Sequence, residues 1–126
     1  MEDNNTNVAE SVTSKSVLED VAKFLGFADG YAPFADMLCM HINSEISNLI
    51  QMGVIDPEMS TTEIVDNTTT WADILEDEHK LSMAKTYIEI GVRLVFDPPT
   101  SSAILDSLTK RKDEAGWRAK TAVETP

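Results

Sequence analysis

Residues 81–99 restrict the fold of this chain more than any other part of the sequence. At about 3.6 residues per turn they predict a helix with a narrow polar face and apolar residues over most of the remaining circumference. The polar face is formed by Ser82, Lys85, Glu89 and Arg93. Pro98 and Pro99 prevent the helix from continuing. A helix this apolar is either the centre of a bundle or partly covered by another subunit.

Further helices are predicted on both sides of this central helix. The predicted helices cover residues 17–25, 34–52, 71–78, 81–96 and about 101–115. Gly26 and Gly53 end the first two, and Thr70 with Asp73 forms a capping signal for the third. Residues 54–70 contain several Thr and a β-branched pair, which predicts a long loop or a short β-hairpin. The expected fold class is therefore all-α, a small bundle of about four to five helices.

The length of 126 residues is that of one domain. Residues 1–15 lack apolar periodicity and are expected to form a disordered acidic and polar arm, followed by one helical domain at 16–119 and a flexible tail at 120–126. The first residues also lack the basic start and apolar stretch of a secretory signal. No apolar run reaches the length of about 18 residues that a membrane span requires. A soluble, cytosolic protein without a membrane association is expected.

The charge is distributed unevenly along the chain. Residues 1–78 contain 16 acidic and two basic residues, a net charge of −14, whereas residues 79–126 contain six acidic and eight basic residues, a net charge of +2. So many acids disfavour wrapping around a nucleic acid, because phosphate binding requires clustered Lys and Arg. The asymmetry has two interpretations: a solvated surface that serves solubility, or two ends that face different partners.

Motifs of enzyme active sites are missing from the sequence. It contains no Gly-rich phosphate loop, no Gly-x-Ser-x-Gly, no His-Glu-x-x-His and no paired cysteines. Cys39 is expected to be a small buried residue, and His41 a hydrogen-bonded packing residue rather than a ligand. The acids 76–78 beside His79 point in different directions on a helix, which favours a solvated turn over a metal cluster. We therefore expect no enzymatic activity, no cofactor and no metal site.

Two polar residues on the core helices have uncertain surroundings. Glu45 projects into the apolar stripe of the helix at 34–52, and a position at the rim with its carboxylate in water is favoured over pairing with a cation. Arg93 is expected to meet the last carbonyls of its helix and a carboxylate such as Glu89, or a residue of a neighbouring subunit. The residues expected to anchor the core at this helix end are Val92, Leu94, Val95 and Phe96.

The last helix changes character along its length. Ile104, Leu105 and Leu108 are expected to face inward. Half of the basic residues of the chain follow, at Lys110, Arg111, Lys112, Arg118 and Lys120. Trp117 falls on the face opposite Ile104. An exposed Trp117 beside Arg118 would be typical of a binding hot spot, but Trp117 could equally fold back over the bundle after a break at Gly116.

A family resemblance rests on residues 85–99, which read Lys-Thr-Tyr-Ile-Glu-Ile-Gly-Val-Arg-Leu-Val-Phe-Asp-Pro-Pro and precede a Ser-rich cap, a helix and Trp117-Arg118. This resembles the head-to-tail connector, or head completion adaptor, of long-tailed bacteriophages, in which Tyr-Ile-x-x-x-Val-Arg-Leu-x-Phe-Asp-Pro-Pro closes the central helix. The resemblance covers about residues 34–119. It implies a core or subunit-interface role for Tyr87, Arg93, Phe96, Asp97, Pro98 and Pro99. Gly91 departs from the pattern, since a bulkier residue is expected there and a mid-helix Gly costs about 1 kcal/mol.

The resemblance also implies a function. Such connectors form a ring of about a dozen copies, a dodecamer, below the portal vertex, where they extend the DNA channel and complete the head. The implied partners are other copies, the portal protein, and a stopper or tail completion protein on the tail side. The implied portal-binding residues are Lys110, Arg111, Lys112, Trp117 and Arg118.

DNA is expected to pass through the channel of such a ring without sequence-specific binding, since an acidic wall repels phosphate. The implied location is the head–tail interface of the virion, after assembly in the host bacterial cytoplasm. The alternative is a DNA-binding packaging factor of the small terminase subunit type, which is also helical and ring-forming. For that function Lys110–Lys112 is the one basic cluster available.

Overall fold

The computed structural model describes residues 12–27 and 30–124 of the chain. Within these ranges the chain forms a small bundle of five α-helices and contains no β-strand, so the predicted all-α fold is confirmed. The helices are α1 (Val17–Phe24), α2 (Ala35–Gln51), α3 (Trp71–Ile74), α4 (Glu78–Phe96) and α5 (Ser102–Glu124). Short 3-10 turns cover Val12–Ser14 and Ala32–Phe34. Most of the predicted N-terminal arm, residues 1–11, lies outside the described residues.

Local signals set the limits of the first two helices. The Ser16 hydroxyl accepts a hydrogen bond from the Glu19 N–H at 3.2 Å and caps the start of α1. Gly26 and Gly53 follow the ends of α1 and α2 with φ angles of 90° and 83°. Other residues rarely adopt this left-handed conformation, which explains why glycine ends both helices. The core of α2 is formed by the fully buried Leu38, Ile42, Ile46 and Leu49.

The segment between α2 and α3 is an anchored loop and not a hairpin. The side chain of Asn43 accepts from the Ile64 N–H at 2.7 Å and donates to the Ile64 carbonyl at 3.0 Å. Ile64 is buried, together with Val54 and Ile55 at the start of the loop. Thr70 forms an isolated antiparallel bridge with Ser16, which ties the end of the loop to the segment before α1.

The third helix is shorter than predicted and the fourth is longer. The Asp73 carboxylate accepts from the Thr70 N–H at 2.9 Å, as the capping signal predicts. However, α3 ends at Ile74, because the backbone is extended at Leu75. The Asp77 carboxylate accepts from the backbone N–H groups of His79 and Lys80, so α4 begins within the acidic run.

Helices α4 and α5 form an antiparallel hairpin around the turn at Pro98 and Pro99. α4 contributes Leu81, Ala84, Ile88 and Val92 to the core. α5 continues without a break through Gly116 to Glu124, past both its predicted end at Ala115 and the predicted domain limit at residue 119. The flexibility of residues 120–126 stays a prediction, with 125 and 126 outside the described residues. No helix in the described ranges combines the length and low polarity needed to cross a membrane.

The apolar residues at the hairpin end differ from the prediction. Ile104 and Leu105 are exposed rather than inward-facing, Ile104 at 52% of its surface, and Leu108 is half-buried. Ala115 and Ala119 provide the buried contacts of α5 instead. The physical reason is that α4 ends at Phe96, so the first turns of α5 extend beyond the helices that could cover them. On α4, Val95 is 59% exposed instead of anchoring the core as expected; Val92 is buried, whereas Leu94 and Phe96 are half-buried.

Candidate interaction surface

The outward face of α5 carries most of the predicted portal-binding residues. Lys110, Arg111, Trp117 and Arg118 are all exposed, and Trp117 exposes 65% of its surface. Arg118 Nη2 lies 3.0 Å from Glu114 Oε2, one turn away on the helix. Trp117 borders a shallow cleft of about 360 Å³, which is also lined by His79, Met83, Arg118, Thr121 and Ala122. Trp117 therefore does not fold back over the bundle.

Lys112 is separated from this outward face. Its position is rotated by about 200° from Lys110 on the helix, which directs its side chain towards the bundle. The ammonium nitrogen lies 3.0 Å from Glu45 Oε1 and 4.7 Å from the centroid of the Tyr87 ring. Lys112 thus makes an ion pair and a cation–π contact inside the subunit, and it does not join the exposed bases.

Glu45 is buried, so its predicted position at the rim is wrong. The residue is only 5% exposed, and its carboxylate accepts a hydrogen bond from Asn48 Nδ2 at 3.3 Å in addition to the contact with Lys112. Gly91 provides the space for this carboxylate. A Cβ atom at Gly91 would lie 2.6 and 2.7 Å from the two Glu45 oxygens, well inside contact distance. The departure at Gly91 is therefore explained by the buried ion pair.

Tyr87 lies between α4 and α5. A Cβ atom at Gly116 would lie 2.9 Å from Tyr87 Cε2 and 3.1 Å from Met52 Cε, so the glycine lets the two helices approach closely. Lys112 contacts the same ring. Tyr87 is consequently a packing residue of the hairpin, which agrees with one of the two roles that the resemblance implies.

The polar face of α4 forms a charged network with α1 and α3. Lys85 Nζ lies 3.4 Å from Asp20 Oδ2 and 3.9 Å from Glu89 Oε2, and the Trp71 indole N–H donates to Asp20 Oδ2 at 2.9 Å. Burial raises the pKa of Glu89 to about 7; Lys85 opposes this shift and Asp20 adds to it. The spacing of four residues accounts for the pairing of Lys85 with Glu89, whereas no spacing relates Asp20 and Trp71 to this face.

Within the described residues, Arg93 forms no ion pair with Glu89. Its Nε atom is buried and lacks a hydrogen-bond partner there, while the Arg93 carbonyl accepts from the Asp97 N–H at 2.9 Å. A buried donor without a partner costs about 1–3 kcal/mol. Of the two roles expected for Arg93, the intramolecular carboxylate pair is not found.

An aromatic cluster joins the end of α4 to the start of α2. The ring centroid of Phe27 lies 5.2 Å from that of Phe34 and 5.6 Å from that of Phe96, and the Phe34 and Phe96 centroids are 5.8 Å apart. His41 contributes an edge contact to Phe96 at 6.5 Å, which supports its packing role. The turn that follows leaves Asp97 and Pro98 exposed and Pro99 half-buried.

The described residues contain no group of three His, Cys, Asp or Glu side chains that could hold a metal ion. Cys39 is buried as predicted, and burial, reinforced by the acids Asp36 and Asp66, raises the pKa of its thiol. A buried thiol held in its neutral form is a poor nucleophile. The outward face of α5 presents an exposed indole beside basic groups.

A family model described as phage connector protein matches residues 17–126. The chain belongs to this family. The resemblance seen at residues 85–99 is thereby confirmed, and the match covers every described helix. Comparisons with curated proteins and with solved structures found no match. Membership makes the connector a structural protein of the phage particle at the head–tail junction, where it contacts other head or tail proteins.

Proposed function

We propose that the connector forms a ring of about a dozen copies between the portal vertex and the tail, which extends the DNA channel and completes the head. Family membership supports the position in the particle. The two-ended charge supports different partners on the two sides, the portal on one and a stopper or tail completion protein on the other. DNA passes through the ring without sequence-specific binding, and the protein has neither enzymatic activity nor a membrane association.

The exposed Trp117 carries the proposal for the portal contact. A Trp that is 65% exposed beside Arg118 on an ordered helix has the composition of a binding hot spot, because both residue types are enriched where interfaces are most stable. Lys110 and Arg111 lie on the same helix and extend the basic surface. Lys112 is not part of this exposed surface, but its ion pair with Glu45 holds α5 against α2.

The same geometry weakens the packaging-factor alternative. DNA binding requires clustered cations, and because Glu45 engages Lys112, only Lys110 and Arg111 of the basic run are exposed and unengaged by Glu45. Salt-sensitive DNA binding by the purified protein would favour that alternative. If the protein forms the proposed ring, we expect no salt-sensitive DNA binding at physiological salt. Assembly of the ring takes place in the host bacterial cytoplasm.

The portal contact is tested by the double variant Trp117→Ala, Arg118→Ala. Both side chains are exposed, so the variant is expected to keep the helical circular dichroism of the parent. We expect it to fail to co-sediment with DNA-filled heads and to leave heads that leak DNA or lack tails. A matched control is Glu58→Ala, Met59→Ala, which removes an exposed charge and a side chain that is 81% exposed from the loop before α3. Normal attachment of the first variant and failure of the second would move the contact to that loop.

A further inference from the structure

One ammonium group serves two carboxylates where α1, α3 and α4 meet. Lys85 Nζ lies 3.4 Å from Asp20 Oδ2 and 3.9 Å from Glu89 Oε2, and we call these three residues the charge triad. Their side chains are largely withdrawn from solvent, with exposed fractions of 25% for Lys85, 15% for Asp20 and 14% for Glu89. With both carboxylates ionised, the triad has one uncompensated negative charge. Because such a charge is unfavourable away from water, a proton on one carboxyl stabilises the triad.

Glu89 is the carboxyl that takes this proton. Asp20 Oδ2 is closer to the ammonium and also accepts from the Trp71 indole N–H at 2.9 Å, and both contacts stabilise a carboxylate. Glu89 has only the longer contact with Lys85 among the described residues. Burial raises the pKa of Glu89 to about 7; Lys85 opposes the shift and Asp20 adds to it. The contacts and the direction of the pKa shift agree.

Other charged groups lie farther from Glu89. A cleft of about 340 Å³ beside it is lined by further residues, all but one on α4: Thr13, Glu78, Leu81, Ser82, Lys85 and Thr86. Glu78 is about 16 Å from Glu89 along α4, where salt screens most of its effect. In the part of the chain that the structure describes, neither Arg93 nor a charged group of α2, α3 or α5 forms an ion pair with Glu89. The other charged side chains near α1 line a separate cleft that does not include Glu89: Lys15, Glu19 and Lys23.

Asp20 connects the charge triad to the attachment of α1. It lies in the first turn of α1, directly after the segment that pairs with the end of the loop. The Val17 N–H donates to the Thr69 carbonyl at 3.0 Å, and the Trp71 backbone N–H donates to the Lys15 carbonyl at 3.2 Å. The fully buried side chain of Trp71 holds Asp20 through its indole N–H. A weaker contact of Asp20 with the ammonium therefore removes support from both backbone hydrogen bonds.

We propose that the proton of Glu89 controls how firmly the charge triad holds the start of α1 against α3 and α4. While Glu89 is protonated, the ammonium of Lys85 pairs with Asp20 alone. When Glu89 ionises, the two carboxylates compete for the ammonium and repel each other. Because the pKa of Glu89 is higher in the closed form than in the open form, the attachment is firmest at low pH and weakens as the pH rises through about 7.

Amide hydrogen exchange of Val17 and Trp71 in the full chain tests this proposal. With a pKa of about 7 for Glu89 in the closed form and its ordinary value of 4.5 in the open form, linkage predicts that opening increases about tenfold between pH 6 and pH 8. The exchange rates are first corrected for the intrinsic pH dependence of amide exchange. Glu89→Gln keeps the size of the protonated side chain and should abolish the increase.

His79→Gln is the matched control. Histidine side chains ordinarily titrate in the same pH range, but His79 is about 15 Å from Glu89 along α4, so the increase should remain in this variant. The amide of Ile88, a fully buried residue of α4, reports opening of the whole bundle. Val17 and Trp71 should open more often than Ile88 at both pH values.

Asp20→Asn tests whether the ammonium is shared. The amide oxygen can still accept from the Trp71 indole, while Lys85 is left to Glu89 alone. The titration midpoint of the Glu89 carboxyl, followed by its ¹³C chemical shift, should therefore move to lower pH. The proposal is overturned if this midpoint does not move, if Glu89→Gln keeps the tenfold increase, if His79→Gln abolishes it, or if Val17 and Trp71 open only as often as Ile88.

Discussion

Gly91→Ala provides a sharp test of the buried ion pair. In an ordinary helix interior this substitution stabilises by about 1 kcal/mol, because alanine loses less backbone entropy on folding than glycine. Here the new Cβ atom would lie 2.6 and 2.7 Å from the two Glu45 oxygens, whereas ordinary contacts begin near 3.4 Å. The carboxylate cannot move freely, since Lys112 holds it at 3.0 Å and Asn48 at 3.3 Å.

The opposing terms give the expected sign. Overpacking of a core costs about 1–3 kcal/mol, and weakening a buried ion pair without replacing it costs up to about 3–5 kcal/mol. Set against a propensity gain of about 1 kcal/mol, these terms predict that Gly91→Ala destabilises the fold, by about 0–2 kcal/mol from overpacking alone and by about 3–7 kcal/mol if the ion pair also breaks. The free energy of unfolding is measured by urea titration followed by circular dichroism.

A second background decides whether the carboxylate is the cause. In a chain that already carries Glu45→Ala and Lys112→Met, the obstacle is gone and Gly91→Ala should stabilise by about 1 kcal/mol. Gly53→Ala is the control: its Cβ would meet nothing within 4 Å, and the strain of its left-handed backbone is the same in both backgrounds. An equal cost of Gly91→Ala in both backgrounds would refute the reasoning.

Three further predictions concern other parts of the bundle. Burial raises the pKa of Glu89 to about 7, above its value in the unfolded chain, so the free energy of unfolding falls as the pH rises from about 4.5 through 7. In the variant Glu89→Gln this loss should be smaller by on the order of 2 kcal/mol. The measurement compares unfolding free energies of the two proteins at pH 5 and pH 8. Phe96→Ala should cost about 2–3 kcal/mol, below the range of a fully buried Phe, while Val95→Ala should stay within about 0.5 kcal/mol in the same urea assay. Asn43→Ala removes both bonds to the Ile64 backbone and should cost about 1–3 kcal/mol, with faster amide hydrogen exchange at Ile64; unchanged exchange would argue against anchoring by Asn43.

Local signals in the sequence were enough to predict most of the helices. Gly26 and Gly53 mark helix ends because only glycine readily adopts the left-handed backbone found there, and Thr70 with Asp73 marks a helix start. Apolar periodicity gives the direction in which a helix face points, but not whether another helix lies opposite. Ile104 is on the apolar side of α5 and is still exposed, since α4 has already ended.

Contacts between distant segments were harder to predict. Trp71 bonds to Asp20 across 51 positions of sequence, and no spacing rule relates two such residues. Glu45 and Gly91 did leave a signal when considered together: an acid within the apolar stripe of one helix and a missing side chain on another. Considered separately, one predicted a rim residue and the other only a departure from the family pattern. The exposed position of Trp117 was one of two alternatives that the sequence left open, and the engagement of Lys112 by Glu45 required the three-dimensional arrangement.

The unbroken course of α5 holds its two ends at a fixed separation. A helix of 23 residues is about 34 Å long, and Trp117 lies about 20 Å along it from Ile104. Lys112 is bonded to the bundle between these two residues, and Ala115 and Ala119 are buried beyond it, so the second half of α5 moves only with the bundle. The first turns project from this fixed half without a helix of the same subunit to cover them. A contact that fixes these first turns therefore also fixes the position of the indole.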